Sequence, residues 1–207
     1  MPQPLYKPLN TEKREIRILV LRPSHRKYSR LKCELIQADL DALQDAPFEY
    51  YEAVSYTWGD TNGKKRISLN GHDFWITRNL HSLLQRLRAK RTRGYYWVDA
   101  ICIDQQNIPE RGQQVRLMKA IYESAEQTLV WLGPSNDDSD IAMDLMDEIT
   151  DADEDANPSD DGEALLHRRV AHLQSSLTDP KDKRKWEALA KLFHRPWWKR
   201  VWIRQEV

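Results

Sequence analysis

"YYWVDAICIDQQNIPERGQQVRLMKAIYESAEQTLVWLG", residues 95–133, decides the fold. It opens on a nearly continuous apolar run from Tyr95 to Asp104, the pattern of a strand covered on both faces of a sheet. It closes on a second short apolar run, "TLVWLG", stopped by Gly133-Pro134. The segment between reads as a helix. Asn107 followed by Glu110 resembles a capping box, and Pro109 suits a first turn. Val115, Met118, Tyr122 and Ala125 mark its expected buried face. Strand, helix, strand at this length implies parallel pairing through a right-handed crossover.

Working upstream, "NLHSLLQRLR" carries Leu80, Leu83, Leu84 and Leu87 on one helical stripe, with Asn79 placed to cap it. Before it, Tyr50 to Trp58 reads as another strand. The core is therefore strand, helix, strand, helix, strand: an α/β fold with a parallel-core sheet flanked by helices. Additional β-hairpins decorate it. "KRISLNGHDFWIT" holds Asn70-Gly71 between two alternating runs, a two-residue turn in which both residues tolerate positive φ. Ile16 to Leu21 and Leu31 to Ile36 read as an opening hairpin around the polar turn "RPSHRKYS".

Downstream, residues 136–179 interrupt the core as a helical, acidic insertion. "SDIAMDLMDEIT" and "ALLHRRVAHLQSSL" read as helices, and "DADEDANPSDDG" between them as a mobile acidic loop. "KRKWEALAKLFHR" is amphipathic, and Pro196 can open "PWWKRVWIRQEV" at a first-turn position. The whole of 1–207 reads as a single domain. The pattern stops inside its last element, so a fragment of a longer protein is expected.

Thirty-two basic and 32 acidic residues balance to zero net charge, which gives no electrostatic footprint for nucleic acid or anionic membrane. Cys33 and Cys102 offer neither a disulfide framework nor a zinc spacing, so no metal is expected and Cys102 reads as a buried free thiol. "MPQPLYKPLN" lacks the apolar region of a signal peptide, and no apolar run is long enough to span a bilayer. A cytoplasmic protein is the expectation.

In an open α/β sheet, ligands sit outside the carboxyl ends of the strands. Trp58, Gly59 and Asp60 occupy one such end; Asp104, Gln105 and Gln106 occupy another. Glu110 and Arg111 open the following helix, whose N-terminus favours an anion such as phosphate. Plainer readings stand beside these. Asp60 can simply terminate a turn, and Asp104 can bind its own backbone. Arg111 and Gln114 can be solvated helix residues. Asp99, beside Trp97 and Val98, needs a partner if buried, which Arg200 or Arg204 would supply as a structural ion pair.

Three blocks, "YEAVSYTWGD", the 97–133 stretch and "RPWWKRVWIRQEV", together resemble the heterokaryon incompatibility (HET) domain of filamentous fungi, over Tyr51 to Val207. That resemblance implies a cytosolic trigger of cell death after non-self recognition, acting by self-association or with an incompatibility partner protein. "WIRQE" is also similar to the tryptophan-then-glutamate pattern of TIR domains, in whose NAD-cleaving members that glutamate is catalytic. "SYTWGD" is similar to the Ser-aromatic-Arg-Gly-Glu-Asp stretch after the first TIR strand, although Trp58 stands where those domains carry arginine. The resemblance implies a flavodoxin-like sheet and NAD, or a related nucleotide, as substrate rather than bound cofactor. It makes Glu206 the catalytic candidate, with a salt-bridging or capping role as its alternative. Trp58 and Trp202 become candidate aromatic walls, and Arg111 and Arg204 candidate pyrophosphate ligands. A non-enzymatic signalling module is the rival reading.

Overall fold

Seven short strands make one mixed sheet in the order β5-β4-β2-β1-β6-β3-β7. They are β1 Glu15–Leu21, β2 Lys32–Asp39, β3 Glu52–Tyr56, β4 Lys65–Leu69, β5 His72–Ile76, β6 Gly94–Trp97 and β7 Gln127–Trp131. The helices of this part are α1 Arg78–Arg88, α2 Asp99–Cys102 and α3 Ile108–Glu123. The computed structural model describes residues 5–24, 26, 29–60, 62–89, 93–136, 138–151, 170–171 and 173–201.

The strand–helix–strand–helix–strand run holds. β3 lies between β6 and β7 and is parallel to both, with Glu52 opposite Tyr96 and Tyr56 opposite Trp131. The connections from β3 to β6 and from β6 to β7 each include a helix, as parallel pairing demands. All five residues of β3 are buried, which fits a strand flanked on both sides.

The opening hairpin does more than decorate this core. β1 pairs antiparallel with β2 on one side and with β6 on the other, so it lies mid-sheet. Ile16, Ile18 and Leu19 are wholly buried. Asn70 and Gly71 both take positive φ, 51° and 83°, and turn β4 into β5 as their sequence predicts. The Asn70 side chain also accepts a hydrogen bond from the Leu35 amide at 2.9 Å, fastening the turn to β2.

Three local readings need correction. The apolar run from Tyr95 is not one long strand: β6 ends at Trp97, and Asp99 starts a single helical turn. That turn is held by Ile101 and Cys102 amides donating to the Val98 carbonyl. Thr77 rather than Asn79 caps α1, accepting from the Leu80 amide at 3.3 Å. On α3, Met118 and Tyr122 are buried as expected, together with Gln114 and Ile121, but Val115 is 37% exposed.

The chain folds as two compact units, Met1–Gly133 with Lys199–Val207, and Pro134–Trp198. In the second, α4 Ser139–Asp151 packs on α5 Lys183–Phe193. Ala142, Leu145, Ala188, Leu189, Leu192 and Trp197 are its buried apolar residues among those described. Lys185 pairs with Glu148 at 2.7 Å on the outside of that seam. Pro196 opens a 3-10 turn, Pro196–Lys199. The acidic loop lies outside the described residues from 152 onward, as do 164–169 and 172 of the second helix read in the insertion, whose described residues, 173–177 among them, are helical.

Candidate functional site

β3, β6 and β7 run parallel, so their carboxyl ends lie along one edge of the sheet. Asp99 sits two residues beyond β6, and Trp58 two residues beyond β3. The Trp58 indole Nε1 donates to Asp99 Oδ2 at 2.8 Å, and the Ala100 amide donates to Asp99 Oδ1 at 2.7 Å. The buried Tyr56 hydroxyl also donates to this carboxylate, and Arg200 lies near enough to stabilise its charge. Burial outweighs these favourable partners and holds the Asp99 carboxyl above the usual carboxylate range. Tyr56 is pushed well above the ordinary phenol range, first by burial and then by Asp99.

A crevice of about 440 Å³ opens on this carboxyl, lined by Thr57, Trp58, Gln105, Arg111, Met118 and Arg200 among others. Gln105 is fixed there because its amide donates to the Asp99 carbonyl at 2.9 Å. Arg200 donates to the Ser55 hydroxyl at 3.0 Å, which brings it over the end of β3. The crevice thus joins one carboxyl, two guanidinium groups, an amide and an indole 46% exposed to solvent. Such a set can hold a polar, anionic ligand while leaving an aromatic face for a ring.

Two features brace the edge. Asn79 on α1 donates to the Thr57 carbonyl at 2.7 Å and accepts from the Trp131 indole at 2.9 Å. One amide therefore ties the ends of β3 and β7 to the same helix. Gly59 has φ of 73°, and a Cβ there would meet the Asn79 Cβ at 3.1 Å, so glycine is required for the turn and for the approach.

Glu110 does not complete a capping box. Asn107 accepts from the Glu110 amide at 3.2 Å, but the Glu110 side chain turns inward to Arg17 on β1. The pair is bidentate, at 2.6 and 3.0 Å, with Arg17 only 2% exposed. Burial alone would raise the Glu110 carboxyl, but bonds from Arg17 and the Asp104 amide prevail and hold it below its ordinary value.

The family model described as "Heterokaryon incompatibility protein (HET)" matches residues 51–206. The chain belongs to the HET family. It is also 37% identical, over 147 residues, to heterokaryon incompatibility protein 6, OR allele, of Neurospora crassa. The match covers 65% of this chain and 21% of that protein, so the chain spans about a fifth of its relative. No solved structure matches.

The HET match therefore encloses both strand ends of the crevice. Of the site residues read from sequence, Trp58, Gln105 and Arg111 meet at it. Asp104 borders a neighbouring cavity instead, and its Oδ1 accepts from the Gln106 amide at 3.1 Å. Asp60 likewise accepts from the Asn62 amide at 2.8 Å, so the turn reading of both aspartates is realised. Gly59 shapes the lip without lining either space. Trp202, Arg204 and Glu206 lie outside the described residues. Asp99 was legible as a buried carboxyl near Arg200, but not as the residue at which Trp58 and Tyr56 converge. The signal was its place directly after "YYWV", just past a strand end.

Cys33 and Cys102 are free and buried, and burial pushes both thiols up to about 12, so neither is a nucleophile near neutral pH. Among the described residues, no group of His, Cys, Asp or Glu could hold a metal ion. Nor is any helix among them long and apolar enough to cross a membrane.

Proposed function

We propose that this HET domain acts as a cell-death effector in fungal heterokaryon incompatibility, and that it cleaves NAD to nicotinamide and an ADP-ribose product at the Asp99 crevice. The incompatibility role rests on the family match and the Neurospora relative. The observation that carries the chemistry is the carboxyl–indole–guanidinium set at the carboxyl ends of two parallel strands.

Nicotinamide leaves NAD as a neutral group, so departure needs no general acid. The transition state places positive charge on the ribose, as in glycoside cleavage. A carboxylate held against the ribose stabilises that charge. Glu206 is the candidate for that contact, by its resemblance to the TIR glutamate. Asp99 acts as a positioning residue that fixes the Trp58 indole at the lip. Arg111 and Arg200 face the pyrophosphate.

The test uses purified, concentrated protein with NAD and a measurement of free nicotinamide. Wild type is expected to release it. Glu206→Gln should lose on the order of 10²–10³ in rate, as when one preorganised electrostatic group is removed. A Glu206→Gln protein that melts like wild type and consumes NAD at the normal rate would return the domain to the non-enzymatic signalling reading.

A further inference from the structure

Beside the Asp99 crevice lies a larger cavity of about 760 Å³, and the two share a wall made by Trp58 and Gln105. Both volumes fall in the range of pockets that enclose small ligands, about 300–1,000 Å³. The larger one is bordered by Tyr6, Phe74 and Trp75 in addition to Trp58. We infer that it is the subsite for a second, purine-type ring of a two-ring nucleotide whose other ring occupies the Asp99 crevice. This inference rests on the NAD reading above and assigns the base its place.

Trp75 carries the argument. It stands at an outward position of β5, which is last in the strand order among the described residues, and is 57% exposed. Edge strands are protected by charged or polar side chains at such positions, and Arg66 opposite and Asp73 nearby follow that rule. An exposed indole there forfeits burial that folding would otherwise gain. It does offer a flat face at a cavity wall, the surface on which nucleobases stack. Tyr6 is a rigid part of the same wall: its hydroxyl donates to the Ile101 carbonyl at 3.1 Å, and Arg17 packs on its ring at 5.0 Å.

The polar lining selects the ring. Asp104 Oδ1 is held by the Gln106 amide, and its second oxygen has no hydrogen bond among the described residues. An acceptor of that kind suits the exocyclic amine of an adenine-type base. Lys64 lines the same cavity and supplies a cation for the phosphates that join the two rings. The Trp58 indole, steadied by Asp99, then divides one ligand's two halves.

Calorimetric titration of the whole chain with AMP, and separately with ribose 5-phosphate, tests this. AMP should bind at least about tenfold more tightly than the sugar phosphate. Trp75→Ala should weaken AMP by about tenfold or more, the scale of lost base–aromatic stacking, with its melting temperature unchanged. Trp75→Phe should restore most of the affinity. AMP binding no tighter than ribose 5-phosphate overturns the subsite, as does a well-folded Trp75→Ala protein that binds AMP like wild type. Nicotinamide release is scored independently. AMP bound through Trp75 without cleavage of NAD defeats the catalytic reading and leaves the subsite standing. NAD cleaved with a KM indifferent to Trp75→Ala does the reverse.

Discussion

Two carboxyls of this chain, Asp99 partly buried and Glu110 buried, meet opposite electrostatic fates. Asp99 is raised because burial outweighs its hydrogen bonds, and Glu110 is lowered because Arg17 outweighs burial. For Asp99 the folded state binds its proton more tightly than the unfolded state. Its charge thus weighs against folding above the raised folded value, and the penalty disappears below the ordinary unfolded value. Asp99→Asn keeps an acceptor for Trp58 and removes the charge. Its melting temperature should equal or exceed that of wild type at neutral and alkaline pH, with the difference vanishing in acid. A variant less stable at every pH would show that the carboxylate is a net anchor. Glu110 has the reverse sign: its stabilisation is present above the unfolded value and is lost as pH falls through the depressed folded value. Glu110→Gln leaves the Arg17 guanidinium buried without its counter-charge. Removal of one partner of such a pair costs about 3–5 kcal/mol, readable from urea denaturation midpoints at neutral pH; a change below about 1 kcal/mol would contradict the pairing. Neither fate was legible in sequence. Glu110 had a local explanation as a capping residue, and its true partner lies 93 residues away on β1.

At the scale of elements, periodicity gave the order of the parallel core, and chemistry gave the Asn70-Gly71 turn. Both signals are local: alternation and helical stripes report burial, and positive φ selects its own residues. The errors came where tertiary contacts overrule local signals. β1 reads as half of a hairpin, yet its far edge pairs with β6, which no short-range pattern encodes. The run Tyr95 to Asp104 is apolar throughout because strand and helical turn are both buried, and apolarity alone cannot separate them. Asn79 looked like a cap because caps and cross-links favour the same residue types. Its real work is to join Thr57 and Trp131, so Asn79→Ala should leave α1 capped by Thr77 and loosen the β3–β7 end. Loss of one such amide, with two partners left bare, costs about 1–3 kcal/mol. Thermal melts measure that cost, and helix content by circular dichroism should stay constant. A lost helical signal would return Asn79 to the capping role.

At the scale of the whole molecule, the crevice has a physical shortcoming as a catalytic site. Trp58 at its lip is 46% exposed, so a single chain leaves the Asp99 edge wet. Charges at 4 Å interact by about 1 kcal/mol in water and by roughly four times that near a protein surface of lower dielectric. A cation forming on a ribose in an open, wet crevice therefore gains little from a nearby carboxylate. Covering the strand ends with another copy of the chain would expel that water and strengthen each electrostatic contact. If NAD cleavage occurs here, it should be weak in dilute monomer and should rise per chain as copies are held together. Fusion to a chemically inducible dimeriser gives the measurement: nicotinamide released per chain, before and after the dimerising ligand, at one fixed protein concentration. The ligand should raise the rate severalfold, and Asp99→Asn should respond in the same direction, because covering acts on the whole crevice rather than on one group. Equal release with and without the dimeriser, and across a wide range of concentrations, would mean that the site is complete in a single chain and that its exposed lip serves ligand entry instead.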